Sequence, residues 1–258
     1  MKLDSIVLAR IQDLLDEFHF LAADTTRRMG ASFLRNDATP TRYDGNHVRR
    51  IRLDSGVTVD DFFDEIERFY ADQDFRAVRI DPWSTPAAVE ARLLQEGYTV
   101  SIEIVMATEG PIGGRPASVD IRLLEGEAGW GDLERLMAAD EGNNDGGVET
   151  YRLARRRGDA FAWYLAYVDG EPVGHFSERT RDGIGYLEDL MVLPKYRLRG
   201  IATALVQRCA ESARADGARI VFLPADAIDT PKLMYARMGF EPVYVFRNYV
   251  KTPPWGSE

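Results

Sequence analysis

The chain has 258 residues and a formal net charge of −10, and 45% of its residues are hydrophobic. That length and composition suit one large domain or two ordinary ones with a proper core, and they argue against bulk disorder. The acidic balance argues against a protein held on nucleic acid by phosphate contacts, which needs a basic face.

The N-terminal segment MKLDSIVLARIQDLLDEF is amphipathic and carries acids, and it lacks the charge-then-apolar-then-small order of a signal peptide. No run approaches the length of apolar residues needed to span a bilayer, so no membrane partner is expected. Tyr43–Val48, YDGNHV, reads as a turn before a strand. His47–Gln73 then runs into a helix whose start is crowded by Asp60, Asp61 and Asp64. Carboxylates suit a helix N-terminus but repel a phosphate there. Phe75–Ile80 is a strand, STPAAVEARLLQEGY from Ser84 a helix, and TVSIEIVMA another strand.

Three glycines and two prolines in residues 108–118, TEGPIGGRPAS, read as a linker. Beyond it the order is strand (SVDIRLLE), helix (WGDLERLMAADE), loop (NNDGG, residues 143–147) and helix (ETYRLARRR). Arginines 155–157 complement the dipole at the end of that second helix. A hairpin follows, with Asp169-Gly170 as its turn. Then come the strand GYLEDLMV, a long helix ending at Gly217, the strand RIVFLPA, the helix TPKLMYARM and the strand PVYVFRNYV. This β-α-α-β-β-β-α-β-α-β order predicts an α/β (α+β) fold, a mixed sheet with helices on its faces. Cys209, the one cysteine, falls on the apolar stripe of the long helix and reads as a buried thiol. Without a second cysteine no internal disulfide forms, which fits a reducing, cytoplasmic compartment.

The two halves echo each other. Thr-Pro is followed by Ala-Arg and then by a glycine-aromatic pair in both STPAAVEARLLQEGY and DTPKLMYARMGF. Each copy lies between two strand-like runs, as an internal duplication would leave it. Proline suits the first helical turn, Thr, or the Ser or Asp before it, suits the N-cap, and the glycine suits a left-handed C′ position.

One stretch stands apart. Pro194–Thr203, PKYRLRGIAT, passes from a strand end through a basic turn into a helix. Backbone N–H groups at such a helix start have no internal partners and favour an anion. Gly200 is expected to let the backbone approach a ligand, and Ala202 keeps the next turn slim. A helix with a basic, solvated start is the plainer alternative.

Arg197-Leu198-Arg199-Gly200-Ile201-Ala202 resembles the R/Q-x-x-G-x-G/A signature of GNAT-superfamily N-acetyltransferases, with Ala202 at the second small position. LMYARMGFEPV is similar to the L-Y-x-x-x-G-F of their late helix. The resemblance spans roughly Ser118 to Lys251. It implies acetyl-CoA as donor and a primary amine as acceptor, with no metal. The pyrophosphate would sit on the amides of Arg199, Gly200, Ile201, Ala202 and Thr203, with Arg197 adding charge. The pantetheine arm would lie along Met191 and Val192, and the Val192 N–H would polarise the thioester carbonyl. Tyr235 would be the general acid. Glu188 is the first candidate for the base, with Asp189 and His175 as alternatives; strand alternation puts Glu188 on the side of Tyr186, Leu190 and Val192, and Asp189 opposite. His175 also reads as an ordinary hydrogen-bonded strand histidine.

The first half carries no such phosphate signature, and aligning the Ala-Arg pairs puts Glu90 where Tyr235 stands. It reads as a degenerate GNAT-like domain (1–110) joined by a linker (111–117) to a catalytic domain (118–258), two such domains in tandem. An acyl-CoA sensor or scaffold without turnover, and an enzyme using a larger acyl group, are the competing readings.

Overall fold

The computed structural model describes residues 3–83, 85–140, 147–158 and 161–252. The first half contains α1 (Ser5–Ala22), β1 (Asp24–Arg28), β2 (Ala31–Arg35), β3 (Val48–Arg49), α2 (Val59–Phe69), β4 (Arg76–Ile80), α3 (Ala87–Gln95) and β5 (Thr99–Thr108). The second contains β6 (Asp120–Leu123), α4 (Gly126–Ala138), α5 (Gly147–Arg157), β7 (Ala162–Val168), β8 (Glu171–Arg181) and β9 (Ile184–Val192). It ends with α6 (Ile201–Ala215), β10 (Ile220–Asp226), α7 (Pro231–Arg237) and β11 (Glu241–Lys251). The helices and strands foreseen in the second half are all present in that order; residues 143–146 of the foreseen NNDGG loop lie outside the described residues, and Gly147 already opens α5.

All the described strands join one mixed sheet in the order β1-β2-β3-β4-β11-β5-β10-β9-β8-β7-β6. Its centre is an exchange. β4 and β5 run parallel with one strand between them, and that strand is β11 from the other half. β10 and β11 likewise run parallel with β5 between them. Each half's last strand fills the gap left by the other's crossover, so the order β4-β11-β5-β10 is unchanged when the halves trade places.

The two faces divide by residue parity. On one, Ile11, Leu14, Leu15 and Phe18 of α1 pack in a single core with Trp130 and Leu133 of α4, Trp163 of β7 and Tyr186 of β9. Helix α1 comes from the first half but buries its apolar stripe against the second. On the other face α6 and α7 cover the second half, with Cys209 fully buried, and α2 and α3 cover the first.

The repeated segments end alike. Gly97 (φ 78) and Gly239 (φ 99) are both left-handed. Tyr98 N–H bonds Leu93 O and Gly97 N–H bonds Leu94 O; Phe240 N–H bonds Tyr235 O and Gly239 N–H bonds Ala236 O. These paired bonds make the same Schellman cap twice. The cap aligns Leu93, not Glu90, with Tyr235, because the cap geometry and not the Ala-Arg pair fixes the frame. Glu90 instead pairs with Arg247 and accepts from Tyr249. The starts differ: Thr230 is the N-cap of α7 with Pro231 in its first turn, as expected, whereas in α3 Pro86 itself is the N-cap; neither helix has a side-chain cap bond, because a proline has no side-chain acceptor and the Thr230 hydroxyl turns to Asp229 Oδ1. Ser84 lies outside the described residues.

Residues 109–119 connect β5 to β6 and are strapped to the second half. Gly113 N–H bonds Met238 O at 2.9 Å, and Gln207 Nε2 reaches the carbonyls of Ile112, Gly113 and Gly114 at 3.3, 3.4 and 3.3 Å. Among the described residues no helix is long and apolar enough to cross a membrane, and no cluster of His, Cys, Asp and Glu could hold a metal.

Candidate active site

β9 and β10 pair in parallel only from Ile184↔Ile220 to Tyr186↔Phe222. Beyond that point β10 continues along β5, while β9 leans toward β8. The two parallel strands therefore splay, leaving their facing backbone groups without a ladder partner. Leu193 N–H bonds Val173 O on the β8 side. By alternation, the Val192 N–H faces the opening.

The splay opens on a cleft of about 750 Å³. Its walls are the end of β9, the turn into α6, and α7. Met191, Val192, Arg197, Gly200, Ile201, Ala202, Thr203 and Tyr235 all line it; Arg199 does not. Arg199 instead lies over the Tyr196 ring, 5.4 Å from its centroid. Arg197 Nε donates to Val192 O at 2.9 Å, which fixes the turn against the strand end.

Gly200 is the N-cap of α6 with φ 85. A Cβ there would lie 2.9 Å from both Ala117 N and Arg115 O. The ligand-approach reason expected for this glycine is thus corrected. Its left-handed backbone and the connecting segment packed on it require the glycine, and Ala117 N–H bonds Gly200 O at 3.0 Å. The result is the same helix start: three orphan N–H groups of α6 face the cleft mouth, with no side-chain cap.

Tyr235 lies at 6% exposure, its ring edge-on to Phe240 at 6.0 Å. Burial pushes its hydroxyl pKa up to about 12, so it holds its proton through neutral pH.

Asp189 has φ 52, and the β8–β9 register slips between His175↔Met191 and Ser177↔Glu188. This β-bulge adds a residue to β9 and corrects the expected alternation. Tyr186 and Met191 belong to the α1-side core, whereas Val192 and Leu190 pack with the α6-side core. Glu188 therefore shares its face with Tyr186 but not with Leu190 or Val192, and the bulge turns Asp189 to that face too. Asp189 Oδ2 comes within 4.0 Å of His175 Nε2. His175 is 1% exposed with neither ring nitrogen bonded among the described residues, so the hydrogen-bonded strand histidine expected there is not found among them. Glu188 Oε2 and Asp189 Oδ2 are also buried atoms without a hydrogen-bond partner among the described residues. Burial, reinforced by the Glu103 carboxylate, pushes Glu188 up to about 8; burial pushes Asp189 up to about 6 and His175 down to about 4. A buried polar atom left unpaired costs about 1–3 kcal/mol, and perturbed titratable groups gathered in one place mark a candidate functional site.

The surroundings of Glu188 and Asp189 come from the first half, which the sequence did not reveal. Asn248 bridges two residues there: Arg79 Nε donates to its Oδ1 at 2.8 Å, and its Nδ2 donates to Glu103 at 2.7 Å. Arg79 also donates to His19 Nε2 at 3.2 Å, and His19 Nδ1–H donates to the Asp44 carbonyl at 2.9 Å. The 36–47 segment crosses to the second half, where Thr39 and Thr150 hydroxyls meet at 3.3 Å.

A family model described as the acetyltransferase (GNAT) family matches residues 130–240. A glucosamine 6-phosphate N-acetyltransferase of Trypanosoma brucei brucei is 30% identical over 132 residues, 47% of this chain and 88% of that protein. Two solved structures share the fold over nearly the whole chain. One is a GCN5-related N-acetyltransferase from Kribbella flavida, with TM-score 0.68, 16% identity and 96% of each chain covered. The other is a tandem GNAT protein from the clavulanic acid biosynthesis pathway, with TM-score 0.57 and 12% identity, covering 95% of this chain and 96% of that one. The chain spans 61% of the length of an N-alpha-acetyltransferase of Sulfurisphaera tokodaii, to which it is 31% identical over 34% of its own length. It spans 46% of an uncharacterized N-acetyltransferase of Methanocaldococcus jannaschii.

Proposed function

The chain belongs to the GNAT acetyltransferase family, and from that premise we propose that it transfers the acetyl group of acetyl-CoA to a primary amine by direct attack. One observation carries this reading: the β9–β10 splay opens between an uncapped helix start on one side and a buried tyrosine on the other. The amides of Gly200–Thr203 bind the donor's pyrophosphate, with the positive end of the α6 dipole behind them. The pantetheine arm pairs with the free edge of β9 near Met191 and Val192, as an added strand would.

An alkylammonium is not a nucleophile, so it first gives a proton to Glu188. The free amine attacks the thioester carbonyl, whose oxygen takes negative charge and accepts from the Val192 N–H. The C–S bond then breaks. The departing sulfur takes the Tyr235 proton, which water then restores, and a second amine proton leaves to water or to Asp189, so that the amide keeps one N–H.

The first half is a degenerate counterpart without a donor site. Parallel β3 lies outside β4 as β9 lies outside β10, and Arg50 (φ 48) follows β3 as Asp189 (φ 52) interrupts β9. Arg49 and Arg50 thus stand where the carboxylates stand in the second half, and both pair with Asp16. Asp61 caps α2 through Thr58, where a pyrophosphate would need bare amides. The tandem reading places the division in the 111–117 connection.

The test is thiol release from acetyl-CoA against an amine panel, with calorimetric titration of the donor. Turnover with one acetyl-CoA per chain supports the proposal. Donor binding without turnover on any amine leaves a sensor, and two donors per chain removes the degenerate half. Longer acyl-CoAs as competitors check the acyl group.

A further inference from the structure

The first half has a cavity of its own. β3 and β4 pair in parallel only at Val48↔Val78. Past Arg50, which is left-handed at φ 48, the chain leaves β4 for the β1–β2 turn. There Arg52 N–H bonds Gly30 O at 2.9 Å, and Asp54 N–H bonds Met29 O at 3.4 Å. The diverging chains and α1 enclose about 330 Å³, the size of a small-molecule site. Arg27, Arg50, Arg52, Asp13, Asp81 and Trp83 line this cavity, and it shares no lining residue with the cleft at the α6 start.

Its carboxylates are engaged. Arg50 Nη2 donates to Asp13 Oδ1 at 2.6 Å, and the Arg50 N–H donates to Asp81 Oδ2 at 3.1 Å. Gln12 Nε2 donates to Asp81 Oδ1 at 3.3 Å, while its Oε1 accepts from Tyr244 at 3.0 Å. Two of the arginines, by contrast, meet no acid. Arg27 donates to uncharged groups, Ser32 Oγ at 3.2 Å and Gly30 O at 3.1 Å. Arg52 is exposed, with no side-chain hydrogen bond or ion pair among the described residues. The Gly30 carbonyl tethers both, accepting from the Arg27 guanidinium and from the Arg52 N–H.

Three arginines and two aspartates leave this lining with one positive charge in excess, in a chain whose net charge is −10. Arginine does not lose its proton in proteins, so pH does not remove that excess. Beside it Trp83 is 50% exposed, its ring 4.8 Å from that of Tyr244 at 61°. A half-open indole offers a flat apolar surface to a second ring. Guanidinium forks match a carboxylate in two parallel bonds. A phosphate monoester brings nearly two negative charges, and Asp13 and Asp81 in the same lining oppose the second.

We propose that this cavity binds a planar aromatic carboxylate, with its ring on Trp83 and its carboxylate on Arg52 and Arg27. It is a second small-molecule site, in the first half and apart from the donor cleft. Acetyl transfer stands or falls without it.

The experiment titrates the full chain with 2-naphthoate by calorimetry. One naphthoate per chain is expected, bound at least tenfold more tightly than 2-naphthamide, which keeps the ring without the charge. 2-Naphthyl phosphate and cyclohexanecarboxylate are each expected to bind at least tenfold more weakly than naphthoate. Arg52→Gln removes an exposed side chain that holds nothing in the fold, and it is expected to weaken naphthoate at least tenfold with acetyl-CoA affinity unchanged. Trp83→Leu is expected to abolish the preference for naphthoate over cyclohexanecarboxylate. No heat with millimolar naphthoate overturns the proposal, as does equal affinity for acid and amide. Preference for the phosphate would make the site one for a phosphate monoester and overturn the carboxylate assignment. Naphthoate binding that Arg52→Gln leaves unmoved, or that acetyl-CoA displaces, puts the ligand elsewhere and overturns it too.

Discussion

Asp189 Oδ2 stands 4.0 Å from His175 Nε2, and neither atom has a hydrogen-bond partner among the described residues. A bulge with Asp189 in the left-handed region brings them to one face, together with Glu188. Buried His175 and the half-buried Glu188 and Asp189 then gather with their protonation states pushed toward neutral. Such a cluster is costly to fold and useful for moving protons.

The pH dependence follows from Glu188. As the proposed base it must be ionised, so kcat/KM is expected to rise with pH through about 8. Glu188→Gln removes that limb and lowers the rate at least tenfold. A profile with the same limb in the variant assigns it to another group.

Stability moves the other way. The folded pKa of Glu188 is raised above its usual 4.5, so its favourable contribution is present below pH 4.5 and is lost as pH rises through about 8. Glu188→Gln is therefore expected to raise the thermal midpoint at pH 9, by about 2–4 °C for each kcal/mol recovered, and to leave it nearly unchanged at pH 4. An unchanged midpoint at pH 9 means the carboxylate is solvated.

Tyr235 is buried beside the cleft, and burial holds its proton to about pH 12. Tyr235→Phe keeps the ring and its contact with Phe240. We expect kcat to fall at least tenfold with acetyl-CoA affinity nearly unchanged; equal kcat removes Tyr235 from the mechanism.

Gly200→Ala tests the helix start. The left-handed φ of 85 costs an alanine about 1–2 kcal/mol, and its Cβ meets Ala117 N and Arg115 O at 2.9 Å. The thermal midpoint is expected to drop by about 5 °C, with acetyl-CoA binding several-fold weaker. Unaltered stability would mean the 115–117 segment yields freely.

The strand exchange predicts that residues 118–258 do not fold alone. Both neighbours of β11 are first-half strands, and the second half's core lacks the α1 stripe without residues 5–22. Circular dichroism of that fragment is expected to show little structure until residues 1–110 are added. A folded, active fragment would show the exchange to be dispensable.

The local lines of this fold were legible in the chain. The 3.6- and 2-residue periods, the Asp169-Gly170 turn, and the glycine-aromatic ends of α3 and α7 marked elements that the structure contains, because propensity and capping act within a few residues. So was the cleft wall from Met191 to Thr203, since strand, turn and helix start are contiguous. Three things were not legible. A bulge adds one residue without a sequence mark of its own, so the side of Glu188 and Asp189 followed from pairing with β8. The reason for Gly200 lies in Arg115 and Ala117, eighty-odd positions away. The crossing of β5 and β11, and with it the arrival of Glu103, Arg79 and Asp44 at the second half's site, depends on which of two parallel gaps each strand fills. Non-local pairing answers to the packed whole, and no window of sequence contains it.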